Sequence, residues 1–434
     1  MRIAWIGPMV SATGGGASGV SRQLLLELAA RDLEIDCYLA GAWAALPEEL
    51  KRQTNLRFMC QKSSWEWNRW YSRNNFLAFV TGQAANLRTE NRLAHELLQR
   101  HRLQPYDLIY QFSHIELSSL RRYRKQLPPI VIHPSVHAHG ELRWHRREAQ
   151  LSKRTEKLLV RLGVRTLLMA RSMVQRRHIQ LPERVLALSQ TFAQDLISDY
   201  GLSPSTIDIV PNPVDLHMFH PLSAHLQATV ERSRRRTVIL FVSRIAVRKG
   251  VEQIVELSHR LDDLADKIEI HVVGNKSLWS DYMGLLQAMN QRTARYLGAV
   301  SYREIAELYR NADMLVQPSK YEPFGLTVGE ALASGVPVVT SDKVGAAESV
   351  HPMCCRTFSS NDMSAFENEV RKLLHDLSDT TLKHDISQLA RAESVRLYAS
   401  SVVGDTLLRS FRQLVDDETH AAATHTGLRF GGSV

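Results

Sequence analysis

Short β-branched apolar runs alternate with longer stretches of helical periodicity along most of the chain. In the first half, residues 2–7, 34–39, 106–111, 129–133, 184–188 and 207–210 read as strands, and 19–31 reads as a helix. In the second half, 237–243 is a near-continuous apolar run, the mark of a strand covered on both faces. A helix over 249–262, strands at 268–273 and 295–298, and a helix over 301–311 follow. Strand 313–317, helix 326–334 and strand 336–340 complete the series. Alternation of this kind predicts an α/β protein with parallel sheets and helices on both faces.

At 434 residues the chain is longer than one core usually serves, so two domains are expected. They meet near Pro211-Asn-Pro-Val-Asp215, where two prolines end the preceding strand and a polar, basic stretch over 217–236 follows as a linker. Composition narrows the class little: 44% apolar and 23% charged residues are ordinary for a globular protein. Cys37, Cys60, Cys354 and Cys355 are too few and too scattered for a disulfide framework or a zinc site, and read as reduced core thiols. Met1 to Gly7 reads as a first strand and not as a signal peptide, and no run of 18 or more apolar residues appears. The expectation is a cytoplasmic protein. A formal charge of +9 calls for an anionic partner; nucleotide diphosphates, nucleic acid and anionic lipid headgroups all qualify.

The most informative segment is Tyr321-Glu-Pro-Phe-Gly-Leu-Thr-Val-Gly-Glu-Ala-Leu-Ala-Ser-Gly335. A strand leads into a loop, and a helix opens near Leu326. Gly325 permits close approach of the backbone to a ligand, and the first-turn amides of the helix bind anions. Glu330 lies one turn further in, roughly 6–8 Å from the terminus, where a carboxylate meets ribose hydroxyls when phosphates sit at the helix end. Glu322 precedes the helix and can hydrogen-bond a sugar on the other side of those phosphates. Taken singly, both carboxylates are ordinary solvated residues; their combination with Pro323, Phe324 and Gly325 is what points to a sugar nucleotide. A second constellation, Ser243-Arg244-Ile-Ala-Val-Arg-Lys249-Gly250, follows the first strand of the second half. Arg244 and Lys249 there sit at a carboxyl strand end, where open α/β sheets bind ligands, and two cations stabilise charge on a departing diphosphate. An ordinary basic loop has the same spacing.

These blocks resemble family 4 glycosyltransferases, retaining enzymes of the GT-B fold. Glu322 to Glu330 matches the Glu-seven residues-Glu signature. Val242-Ser-Arg244 with Lys249-Gly250 resembles the Gly-Arg-Leu…Lys-Gly stretch, with Ser243 where Gly is commoner. Val273-Gly274, Tyr296-Leu-Gly298, Gly345-Ala-Ala-Glu348 and the hinge Pro211-Asn-Pro-Val-Asp215 resemble further blocks in the family's order. The resemblance implies two Rossmann-like domains facing each other across a cleft. Residues 1–212 would form the acceptor side and 213–398 the nucleotide-sugar side, with a helix over 399–416 crossing back and a flexible tail over 417–434. It also implies that Glu330 binds the ribose and Glu322 the donor sugar. Arg244 and Lys249 would neutralise the diphosphate with amides near Phe324, Gly325, Leu326 and Thr327, and Gly274 would lie at the donor. No Asp-x-Asp triplet occurs, and the resemblance implies no metal and no cofactor beyond a nucleoside-diphosphate sugar as co-substrate.

The first half carries weaker signals. Gly14, Gly16 and Gly19 satisfy G-x-G-x-x-G, with Glu34 and Asp36 beyond, so an NAD(P)-dependent oxidoreductase is the competing enzyme class. Six residues between strand and glycines are too many for the usual tight turn; in the resembling family this loop, with Gly15 and Gly16, faces donor phosphates or acceptor. His133 by strand end and His137 by loop position both fit an active-site histidine, and the sequence does not choose between them. Surface histidines are the plain alternative, and a metal reading of His133, His137, His139 and His145 lacks any supporting Cys or paired carboxylate. From Arg143 to Arg184 the chain is strongly basic among apolar residues. Such a helix rests on an anionic membrane at its inner face, grips an anionic acceptor, or is simply a solvated face. Trp65, Trp67, Trp70 and Tyr71 form a cluster suited to core packing or to lining a sugar or lipid pocket. The expected acceptor is a carbohydrate, a lipid-linked molecule or a small molecule. Nucleic-acid binding rests on net charge alone and is not expected.

Overall fold

The computed structural model describes residues 1–10, 15–31, 33–62, 75–114, 117–148, 153, 157–222, 236–276 and 281–427. Thr13, Gly14, the aromatic cluster at 65–71, and 223–235 of the expected linker lie outside the described residues.

Two parallel sheets form the frame. The first runs β1 (Arg2–Gly7), β2 (Glu34–Ala40), β3 (Leu56–Gln61), β4 (Leu108–Ser113), β5 (Ile130–Pro134), β6 (Arg184–Ala187) and β7 (Ile207–Ile209), in spatial order β3-β2-β1-β4-β5-β6-β7. The second runs β8 (Thr237–Val242), β9 (Ile268–Val273), β10 (Ala294–Gly298), β11 (Met314–Gln317), β12 (Val338–Ser341) and β13 (Cys355–Phe358), in order β10-β9-β8-β11-β12-β13. The order reverses between β1 and β4 in one sheet and between β8 and β11 in the other, and ligands of such sheets bind outside the carboxyl ends of the strands at those points. The central strands are buried almost throughout, as their unbroken apolar runs require. Two strands that the apolar pattern does not reveal, β3 and β13, are both sheet edges, where one side needs no apolar cover.

The helices used below are α1 (Ala17–Ala29), α2 (Asn75–Leu103), α3 (Ala138–Arg147), α4 (Leu158–His178), α5 (Gln190–Tyr200), α6 (Val251–Arg260), α7 (Tyr302–Arg310), α8 (Leu326–Ala333), α9 (Met363–Asp376), α10 (Thr380–Tyr398) and α11 (Ser400–Gly427). The chain passes between the sheets twice. After β7 it runs through Val210–Val214, and at Ala399 an extended residue ends α10 and turns the chain into α11. The two passages are joined where the Val214 N–H donates to the Tyr398 carbonyl (2.9 Å). Val403, Leu407, Phe411 and Leu414 of α11 are buried in one apolar cluster with Ile3, Trp5, Leu24 and Leu28 of the first domain. Helical structure continues past Asp416 to Gly427, eleven residues into the stretch expected as a flexible tail; Ala421-Ala-Ala423 is the strong helix former there. All four cysteines are free, and three are buried. Among the described residues no helix is long and apolar enough to cross a membrane.

Candidate functional site

A cavity of about 660 Å³ opens between the carboxyl ends of the two sheets. Arg244, Arg248 and Lys249 reach it from the turn after β8, and Glu322 to Thr327 from the loop between β11 and α8. Val273 and Gly274 close it below β9. Gly274 has φ +147°, and a Cβ there would meet the Ser243 carbonyl oxygen at 1.7 Å, so only glycine lets the two strand ends approach.

Gly325, at φ +99°, turns the loop into α8 in the left-handed region, where a side chain would be strained and would press on Val344. The turn leaves the amides of Gly325, Leu326 and Thr327 with no acceptor among the described residues, and all three residues line the cavity. Such an array at a helix start, carrying the positive end of the helix dipole, is a seat for an anion. The loop is braced from both domains. Ser189 of the first domain donates to the Pro323 carbonyl (2.9 Å), and the Ala346 amide of the second donates to the Phe324 carbonyl (2.8 Å).

Lys249 and Glu322 form a direct ion pair in the cavity wall, both side chains mostly buried. Burial, then the neighbouring guanidinium groups of Arg248 and Arg244, press the Lys249 pKa below the ordinary lysine value, with Glu141 opposing. Arg248 donates to the Tyr321 carbonyl (3.2 Å), and its own amide is held by Glu148 of the first domain (2.8 Å). Glu148 also accepts from the Tyr282 hydroxyl (2.9 Å). Arg248 thus belongs to the cationic wall beside Arg244 and Lys249. Sequence spacing passed over it, although it sits one residue before the lysine.

Glu330 is buried on α8 and does not line the cavity. It accepts from the hydroxyls of Tyr302 (3.1 Å) and Tyr309 (3.2 Å). Burial raises its pKa to about 7, against the pull of the two hydroxyls, with Asp215 adding to the rise. The Tyr302 ring also packs against Gly15, whose missing side chain makes room for it. Gly15 therefore faces Tyr302, whereas Gly16 and Ala17 reach the cavity.

Neither candidate histidine lines the cavity. His133 is a core residue: its Nδ1 shares a hydrogen bond with the Tyr110 hydroxyl (2.7 Å) and its Nε2 with the Val210 carbonyl (2.9 Å). Burial lowers its pKa to about 4, so it stays neutral and holds the chain leaving β7. This corrects the expectation that a histidine at that strand end faces the cleft. His137, just before α3, is buried behind the loop, hydrogen-bonded to the Tyr321 hydroxyl, with Nε2 at 3.1 Å from Asp199. It reaches the site only through Tyr321. Among the described residues no group of three or more His, Cys, Asp or Glu is placed to hold a metal ion.

The opposite wall of the cavity comes from the first domain: Phe112, Ser135, Leu188 and Asn212. Asn212 is buried, and its Oδ1 has no hydrogen-bond partner. A buried acceptor left unpaired costs about 1–3 kcal/mol, so its survival beside a cavity marks a place for a ligand donor. In the sequence it reads only as part of a hinge; a polar residue between two prolines at a strand end was the available signal.

The dinucleotide reading fails on geometry. Residues 8–16 separate β1 from α1, and Asp36, the acid it would use, is buried under Arg2 (2.7 Å) and the Tyr106 hydroxyl (2.5 Å). Glu34 lies at the amino end of β2, away from any ligand edge.

Comparison with known proteins places the chain among glycosyltransferases. A family model described as Glycosyl transferases group 1 matches residues 226–393, and one described as Glycosyltransferase Family 4 matches 14–218. Mannosylfructose-phosphate synthase of Agrobacterium fabrum is 30% identical over 173 residues, 37% of each chain. D-inositol 3-phosphate glycosyltransferase of Geodermatophilus obscurus is 29% identical over 235 residues, 49% of this chain and 51% of that protein. The chain thus spans about half or less of the length of these curated relatives. Sucrose-phosphate synthase of Thermosynechococcus elongatus superimposes with a TM-score of 0.70 at 19% identity, covering 96% of this chain and 99% of that one. Anabaena HepE in complex with UDP-glucose gives 0.59 at 17% identity, covering 95% and 100%.

Proposed function

The chain belongs to the family 4 glycosyltransferases of GT-B fold, and on that premise we propose that it moves a glycosyl group from a nucleoside-diphosphate sugar to an acceptor hydroxyl with retention at the anomeric carbon. The observation that carries this reading is the shared cavity in which Arg244, Arg248 and Lys249 face the same space as the free amides of Gly325 to Thr327. The cations and amides hold the diphosphate and take up the charge that grows on it as the bond from the anomeric carbon to the phosphate oxygen breaks. The acceptor oxygen bonds to the same face of that carbon, and its proton passes to the departing phosphate oxygen. Glu322 orients the sugar hydroxyls, and no metal is required.

Glu330 takes the ribose hydroxyls. Its two tyrosine donors, at 3.1 and 3.2 Å, occupy the oxygens that those hydroxyls would use, so nucleotide binding displaces the Tyr302 hydroxyl. That HepE carries UDP and UDP-glucose favours a uridine donor. The acceptor, whether carbohydrate, lipid-linked or a small molecule, enters along the first domain's wall.

Incubation with a panel of UDP-, GDP- and ADP-sugars is the test, reading slow release of the nucleoside diphosphate by the full chain. Release from one nucleotide series alone is expected. Absence of release from every sugar, together with no calorimetric binding of any nucleotide, overturns the reading.

A further inference from the structure

In a water-soluble helix packed on a domain, the outward face is polar and the inward face apolar. The α4 helix has the reverse arrangement. Its inward face packs on α3 through Leu168, Ser172 and Gln175, with Gln175 Oε1 accepting from the Ala138 amide (2.8 Å) and from the Tyr200 hydroxyl (2.8 Å). Its outward face is apolar. Leu159 is 82% exposed, Leu158 61%, Met173 57% and Leu162 50%, with Met169 beside them. Leu159, Leu162, Met169 and Met173 are spaced three, seven and four residues apart, so they fall on one stripe of the helix. The centre of the outward face of this basic run is therefore apolar.

The charges mark the borders of that stripe. Leu158–His178 contains five arginines and no acidic residue. At 100° per residue, Arg165 and Arg176 fall on one flank of the stripe and Arg177 on its far end, and all three are exposed. The exposed Arg146 and Arg147 at the end of the neighbouring α3 add to the same field, with Arg147 stacked on the Trp144 ring (4.9 Å). An apolar stripe edged by cations, on a helix too polar to cross a bilayer, matches a surface in which acyl chains lie beneath anionic headgroups.

We propose that the exposed face of α4 docks the protein on an anionic lipid bilayer, with Leu159, Leu162 and Met173 inserted between headgroups and Arg165, Arg176 and Arg177 paired with lipid phosphates. A protein partner for the same stripe would need acidic residues to meet these cations; the bilayer supplies both components over the whole length of the helix. The inference stands apart from the transferase reading, because it concerns a face outside the cavity.

The experiment uses the full chain with sedimented vesicles of phosphatidylcholine alone and of phosphatidylcholine with phosphatidylglycerol. Binding to the anionic vesicles only, weakening as salt is raised, is the expected result. The double variants Leu159→Gln with Met173→Gln, and Arg165→Gln with Arg176→Gln, should each lower that binding at least about tenfold while the melting temperature stays within a few degrees of the parent. Equal binding of parent and variants, or no binding of the parent to either vesicle, overturns the proposal. So does a concentration-dependent self-association, seen by ultracentrifugation, that the apolar variant abolishes, since the stripe is then an interface between copies. None of these outcomes depends on donor turnover, so failure here and failure of the donor reading are separable.

Discussion

One wall of the cavity carries Arg244, Arg248, Lys249 and Glu322; the described residues of the facing wall are Gly16, Ala17, Phe112, Ser135, Leu188 and Asn212, with no charged side chain among them. The charged wall is held from behind by hydrogen bonds that cross between domains, from the Arg248 amide to Glu148 and from Ser189 to the Pro323 carbonyl. The neutral wall has an amide oxygen with nothing to accept from. An anion placed between these walls is pulled to one side, which leaves the other free for a neutral hydroxyl. On the proposed function, the asymmetry would set the donor against the charged wall and the acceptor against the neutral one.

The largest expected effect comes from removing the charged wall. Lys249→Ala and Glu322→Ala should each lower kcat by about two to three orders of magnitude, as loss of a preorganised charge partner does. Near-normal turnover in both variants, measured with saturating donor, breaks the assignment of that wall.

Glu330 sharpens the comparison from inside the same domain. Its folded pKa of about 7 lies above the ordinary value of 4.5, so the fold favours its protonated form. Its contribution to stability is full below pH 4.5 and is lost as pH rises through about 7, a change of about 3 kcal/mol. Melting curves of the parent and of Glu330→Gln across that window should show the parent losing stability relative to the variant as pH rises. A gap constant with pH would sink this account of the carboxyl.

The smallest effect lies on the neutral wall. Asn212→Ala should raise the acceptor KM about tenfold, the worth of one buried hydrogen bond, and leave slow donor hydrolysis unchanged. A rise in donor KM instead would move Asn212 to the donor seat.

The charged wall was far more legible in the sequence than the neutral one, and the reason is distance along the chain. Glu322, Phe324, Gly325, Leu326 and Thr327 lie on one turn, and Arg244 and Lys249 on another, so strand-end logic suffices to bring each group to the ligand edge. The α/β class, both sheets' central strands and α8 followed from apolar runs in the same way. His133 and His137 had the same local signal but different fates. His133 is claimed by the Val210 carbonyl, 77 residues later, and His137 by Tyr321, 184 residues later. Glu330 was placed on the right helix, yet its screening by Tyr302 depends on a side chain 28 residues earlier. The outward turn of the apolar stripe on α4 is also invisible to periodicity, which finds a stripe but not which way it points.

The hydrogen bond from Val214 to Tyr398 ties the two passages between the sheets into a single strap. A lone tether would let the lobes swivel in any direction; a paired one lets them rock about the line it defines and resists torsion around it. Any change in the width of the cavity is then confined to one arc.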